Sequence, residues 1–164
     1  MEASPSPAFG LTDPQTLQTE LFADVLRQFS TARLVVTGAS MLPAIWPGDV
    51  LTIQRKELAE LRAGEIVLAQ REGKLIAHRV TSVGDHLITQ GDSMPQGDPP
   101  FTTSEILGRV VSILRNGRDM PLEQSLWQRA VSAILRRSDF CMRMTLRIGR
   151  RWQRLRRMEL LWAR

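Results

Sequence analysis

Three kinds of side chain able to share one proton relay occur in order along this sequence. They are Ser40 in GASMLPAIWPGD, His78 in KLIAHRVTSV, and the two aspartates Asp92 and Asp98 in QGDSMPQGDPPF. A serine hydroxyl is a poor nucleophile unless a base accepts its proton in the transition state. Candidate bases are few: the chain has two histidines, and His86 lies outside the aliphatic run, just after Gly84-Asp85. Lys74 and His78 are four residues apart in one predicted strand, so their side chains leave the same face. A carboxylate that accepts from one ring nitrogen of a histidine fixes the tautomer and leaves the other nitrogen for the hydroxyl. Either Asp92 or Asp98 could supply it. Each residue also has an ordinary reading. A hydroxyl in a Gly/Pro turn commonly makes local hydrogen bonds, a strand can carry a histidine for packing, and Gly-Asp pairs are common in turns. Asp49 shares the Gly-Asp pattern and suits the bracing of backbone amides.

The elements that must position these residues can be read from periodicity. Residues 1–13 read as a flexible Ser/Pro-rich arm ending in Asp13-Pro14, a helix start with Asp as N-cap and Pro at the first helical position. Leu17, Leu21, Val25 and Phe29 then recur every four residues, with Phe22 and Leu26 widening the face, which predicts an amphipathic helix over 14–29. From Arg33 the pattern becomes short runs rich in Val, Ile and Leu: RLVVTG, VLTIQR, EIVLAQRE, KLIAHRVTSV, HLITQ and ILGRVVSILR. Glu72-Gly73 and Val83-Gly84-Asp85 read as hairpin turns. These six runs predict a mainly β fold, a compact, coiled and mostly antiparallel domain rather than a βαβ one. After Asn116-Gly117 the pattern returns to helix. Leu126, Ala130 and Ile134 form one stripe with Trp127 and Val131 beside it, and Met144, Ile148, Trp152, Leu155 and Trp162 approximate a second. The predicted organisation is therefore an arm (1–13), a domain with its N-terminal helix (14–116) and a basic amphipathic helical tail (117–164).

Composition narrows the chemistry. One cysteine, Cys141, excludes an internal disulfide framework, and two histidines without an HExxH argue against a protein-only zinc site, so neither metal nor cofactor is expected. The net charge of +5 is unevenly divided: residues 1–114 carry 9 basic and 13 acidic side chains, residues 115–164 carry 13 and 4. A tail at +9 predicts an anionic partner. There is no apolar run long enough to span a bilayer, and MEASPSPAFG lacks the features of a secretory signal. The expected location is cytoplasmic or peripherally attached to the membrane.

Taken in order, these boxes resemble the signal peptidase I and LexA-like serine peptidase superfamily, and within it the archaeal and endoplasmic-reticulum type of signal peptidase. GASMLPAIWPGDVLTI resembles the nucleophile box, LRAGEIVLAQ the following strand, LIAHRVTSV the base box, HLITQGDSMPQGD the acid box and ILGRVVSI the closing strand. The resemblance runs from about Val35 to Ile113. It implies Ser40 as nucleophile and His78, at the position where the bacterial branch carries lysine, as general base; Lys74 then falls four residues too early. The branch carries two acids spaced six apart, as Asp92 and Asp98 are, and the later one matches the acid of the triad. Asp98 is therefore favoured over Asp92. Met41 matches a residue that helps line the substrate pocket. The oxyanion region falls at the turn containing Gly38, Ala39, Ser40 and Met41, with Gly38 and Pro43 holding it. The chain departs from the branch at Ser93-Met94 and Pro99-Pro100 and carries no spanning helix before Ser40.

The expected activity is thus a serine endopeptidase that cleaves a signal, leader or other precursor peptide through an acyl-enzyme. An extended peptide or protein substrate would bind by strand addition. The alternatives are an inactive peptide-binding or regulatory module on the same fold, and a LexA-like autocleaving regulator. Residues 121–164, with Trp127, Trp152, Trp162 and many arginines, could meet an anionic membrane surface or a protein partner. Nucleic acid is an unlikely partner: residues 1–32 hold one convincing helix and leave no room for a helix-turn-helix.

Overall fold

The computed structural model describes residues 14–137. The predicted arm over 1–13 and the second apolar stripe from Met144 to Trp162 lie outside the described residues. Pro14, whose fixed φ suits a first helical turn, opens helix α1 (Pro14–Phe29), with the bounds read from the sequence. Strands β1 (Thr31–Val35), β2 (Val50–Gln54), β3 (Ile66–Arg71), β4 (Lys74–Val83), β5 (Leu87–Gln90), β6 (Ile106–Arg115) and β7 (Arg118–Met120) come next, then helix α2 (Leu126–Arg137). Two single-turn helices, Leu58–Glu60 and Thr103–Glu105, punctuate the loops. The strands form one sheet in the order β1-β2-β6-β3-β4-β5, with β7 on β6 and antiparallel pairing throughout. The fold is mainly β and antiparallel, as the alternation of short aliphatic runs predicts.

Register shifts at Thr52/Ile53, Leu68/Ala69 and Val80/Ser82 coil the sheet. An extra residue on one strand bends it and increases its twist. β3 is buried on both faces, which its uninterrupted IVLA reports. Ile66 and Leu68 enter the larger core with Leu51, Ile53, Val110, Ile113 and Leu26. Val67 and Ala69 enter a smaller one with Leu61, Val80, Leu87 and Phe101. Burial of each large aliphatic side chain stabilises the fold by about 1.5–3 kcal/mol.

Two elements differ from the sequence reading. The Leu17–Leu21–Val25–Phe29 stripe of α1 faces outward: Leu17 is 59% exposed, Leu21 63% and Phe29 63%. The buried side is Thr19, Ala23 and Leu26. Small residues allow the close approach, and the Thr19 hydroxyl donates to the Gly73 carbonyl at 2.9 Å, seating α1 on the β3–β4 turn. Second, helix does not resume directly after Asn116-Gly117. Both residues have positive φ (50° and 78°) and turn the chain into β7, which pairs back along Ile113–Arg115. The sheet therefore continues past residue 116, where the sequence reading ends the domain. The predicted apolar stripe of α2, whose partner the sequence leaves open, is outward. Leu126 is 83% exposed, Trp127 61% and Ile134 63%, while Gln128 and Ser132 are buried.

Candidate active site

Ser40 lies beyond β1 on an irregular segment whose flanks are fixed from three sides. Met41, Ala44 and Ile45 anchor it in the larger core. Asp49, 2% exposed, accepts from the Trp46 amide at 2.8 Å and from Arg115 Nη2 at 2.7 Å, and the same guanidinium reaches the Ala44 carbonyl at 3.0 Å. Asp49 is thus a turn brace, in keeping with its Gly-Asp setting, and its buried charge is paired. On the third side, Ser93 donates through its amide (2.9 Å) and its hydroxyl (2.9 Å) to the Ser40 carbonyl; the hydroxyl also lies 3.1 Å from the Ala39 carbonyl.

His78 sits in β4 opposite Val67 of β3, 8% exposed. Its Nε2 is 2.8 Å from Ser40 Oγ and its Nδ1 is 2.6 Å from Asp98 Oδ2. The Thr89 hydroxyl donates to the same Asp98 oxygen at 2.5 Å, and the Asp98 amide donates to the Thr89 carbonyl at 2.8 Å. Burial pushes the Asp98 carboxyl up. Hydrogen bonds from His78 and Thr89, with the nearby positive charge of Arg71, outweigh that and hold it below the ordinary aspartate value. An ionised carboxylate can only accept, so the imidazole places its proton on Nδ1 and leaves Nε2 to accept from Ser40. This is the arrangement needed to move a proton from the hydroxyl to the ring.

Asp92 is elsewhere. It is fully buried in a two-pronged pair with Arg79, Nε to Oδ1 at 3.0 Å and Nη2 to Oδ2 at 2.9 Å, while Arg79 Nη1 reaches the Gly64 carbonyl at 2.7 Å. The neighbouring residue, not the histidine, takes this acid. Lys74 and His86 are exposed and make no contact with Ser40 or Asp98 among the contacts described. Met41, expected to line a pocket, is 3% exposed and part of the core. Ala39 and Pro43 are buried too, and the Pro43 carbonyl accepts from the Trp46 indole at 2.9 Å. Gly38 is exposed with free space where a Cβ would stand, so sterics do not require glycine there.

Gly91 is the residue that sequence reasoning missed. A Cβ there would lie 2.7 Å from the Ser40 carbonyl oxygen, 2.6 Å from Met94 Cγ and 3.1 Å from His78 Nε2. Only hydrogen lets this backbone pass beside the serine and the imidazole. The one available signal was a glycine directly before the first acid-box aspartate. Thr89 and Ser93 gave none, since a hydroxyl in a strand or a turn has no signature. Two clefts, of about 690 Å³ and 280 Å³, lie elsewhere; neither is lined by Ser40, His78 or Asp98. Among the described residues no group of three or more His, Cys, Asp and Glu could hold a metal.

An antiparallel coiled sheet carrying serine, histidine and aspartate in one hydrogen-bonded line has the make-up of a serine-peptidase domain. The chain belongs to the Peptidase S24-like family, which matches residues 10–111. The match takes in Ser40, His78, Asp92 and Asp98. No curated protein matches the chain.

Proposed function

We propose that this protein is a serine endopeptidase with Ser40 as nucleophile, His78 as general base and Asp98 as the acid that orients it. The observation that carries the reading is the continuous line Ser40 Oγ–His78 Nε2–His78 Nδ1–Asp98 Oδ2, at 2.8 Å and 2.6 Å. In the first step Ser40 Oγ attacks the scissile carbonyl as His78 Nε2 takes its proton; the tetrahedral intermediate collapses and the same proton goes to the leaving amine. In the second step His78 takes a proton from water, which hydrolyses the acyl ester and returns Ser40. The Ser40 amide, which makes no backbone hydrogen bond among those described, donates to the oxyanion.

The substrate class we infer is an extended peptide segment, such as a signal, leader or other precursor sequence, and the kinship is with the archaeal and reticulum type of signal peptidase. β5 pairs with β4 only from Arg79 onward, so the Lys74–His78 half of β4 keeps an edge without a strand partner among the described residues. A peptide added along that edge lies beside His78, with main-chain hydrogen bonds giving affinity and shallow pockets giving selectivity. We further infer peripheral attachment to an anionic membrane surface through residues 121–164. Supporting this are the outward Leu126, Trp127 and Ile134 of α2 and the excess of arginine from 115 onward. Among the described residues no helix is long and apolar enough to cross a membrane.

The test is cleavage of a panel of precursor peptides by the wild-type, Ser40→Ala and His78→Ala proteins, with products located by mass spectrometry. The expected result is cleavage at defined bonds by wild type and loss by on the order of 10³-fold or more in each variant. Equal cleavage by all three would remove the mechanism.

A further inference from the structure

The acid loop has an unusual shortage of backbone donors directly after Asp98. Pro99 and Pro100 carry no N–H, so from the Asp98 amide to the Phe101 amide, which donates to the Leu87 carbonyl at 2.8 Å, the main chain has nothing to give. Their carbonyls are held instead by one side chain arriving from β3. Arg71 Nη1 donates to the Pro99 carbonyl at 3.0 Å and Nη2 to the Pro100 carbonyl at 2.7 Å. The rest of the guanidinium grips Glu105, with Nε to Oε1 at 2.6 Å and Nη2 to Oε2 at 3.1 Å. Its face lies 3.8 Å from the ring centroid of Phe101, which is fully buried. Glu105 is itself fixed by the Thr102 amide at 2.8 Å and the Thr102 hydroxyl at 3.0 Å. The result is a strap from β3 over the loop that carries Asp98 and down to the start of β6.

We propose that Arg71, fixed by Glu105, is a positioning residue that keeps Asp98 on His78 Nδ1 by holding the Pro99 and Pro100 carbonyls; the proposal rests on the peptidase reading of this site. Arg71 touches neither the imidazole nor the nucleophile; its positive charge helps keep Asp98 ionised, a contribution Arg71→Lys retains, and its hold on the geometry runs through the loop. The five donors of arginine in a planar fork match two carbonyls and a carboxylate at once, which a lysine ammonium on a flexible stem does not. Catalytic geometry tolerates little drift: a misplacement of about 1 Å costs on the order of 10²-fold.

Two readouts separate this proposal from the peptidase reading. The first is peptide cleavage by Arg71→Ala, Arg71→Lys and Glu105→Gln. The expected fall in kcat is about 10- to 100-fold for Arg71→Ala, smaller for the other two, with KM within about twofold. The second needs no turnover: ¹⁵N and ¹H spectra of the His78 ring in a Ser40→Ala background, which report which nitrogen carries the proton. With Arg71 present a single Nδ1–H form with a far-downfield proton is expected; with Arg71→Ala, or with Arg71→Lys should the alanine variant fail to fold, a mixture of forms. An unchanged ring spectrum in a folded Arg71 variant overturns the proposal, as does a loss confined to KM. If wild type cleaves no peptide, the peptidase reading falls while the ring spectra still decide the strap.

Discussion

Asp92 is fully buried against the Arg79 guanidinium, whereas the Asp98 side chain is one-fifth exposed and faces an imidazole and a threonine hydroxyl. Replacing each by asparagine therefore has opposite consequences. Asp92→Asn leaves the largely enclosed Arg79, 13% exposed, without its counter-charge and lowers unfolding free energy by about 3 kcal/mol, measured by chemical denaturation. Asp98→Asn keeps the fold but allows the wrong histidine tautomer, so kcat for peptide cleavage falls by on the order of 10³- to 10⁴-fold. The pH dependence has a definite sign. The folded-state pKa of Asp98 is depressed, so its stabilisation is present above the ordinary aspartate value of about 3.9 and is lost as pH falls through the folded value. The gap in melting temperature between wild type and Asp98→Asn narrows on acidification below pH ~4. Both aspartates were visible as candidates in the sequence. Spacing did not separate them, because the discriminating fact is that Arg79, beside the histidine, captures one; the resemblance to a peptidase family pointed to the other.

At the scale of elements, the strands were legible because each is a short aliphatic run closed by Gly, Asp or Pro, and α1 because Asp13-Pro14 and a four-residue period mark it. What the period does not report is which side of a helix meets the body. α1 packs through Thr19, whose hydroxyl reaches the Gly73 turn, and through Ala23 and Leu26 in the larger core, and its larger stripe is left outside. β7 was missed because Arg118-Asp119-Met120 has no alternating pattern. Its signal was Asn116-Gly117, the favoured two-residue hairpin turn. The acid loop is the element where a minimal change tests the assembly. Gly91→Ala puts a methyl group into the Ser40 carbonyl and against the histidine ring. Main chain cannot yield as a flexible side chain does, so serine and imidazole must separate. The expected result is a kcat lower by about 10²-fold, with KM little changed, in steady-state peptide cleavage. Full activity with an unchanged melting temperature would contradict the close approach.

Across the whole molecule, charge is divided between the body and the C-terminal segment. Residues 1–114 are net acidic and residues 115–164 strongly basic, and the described part of that segment turns Leu126, Trp127 and Ile134 outward. Wild type is expected to co-sediment with vesicles containing phosphatidylglycerol, and binding to weaken as salt is raised. The double variant Trp127→Ala/Ile134→Ala is expected to lose at least about tenfold in vesicle affinity while cleaving a short soluble peptide normally. Undiminished binding by that variant would place the contact elsewhere. The braces of the nucleophile turn have a further consequence, in the order of events rather than in space. Ser40 lies early in the chain, but the groups that arm and hold its turn come later: His78 on Oγ after 38 residues, Ser93 on the carbonyl after 53, and Arg115 on Asp49, itself 66 residues beyond that aspartate. Contacts this distant in sequence form late. Arg115 also falls beyond residue 111, where the family match ends. A chain emerging from the ribosome carries its serine long before that serine is held, and the braced site exists only once β6 is complete.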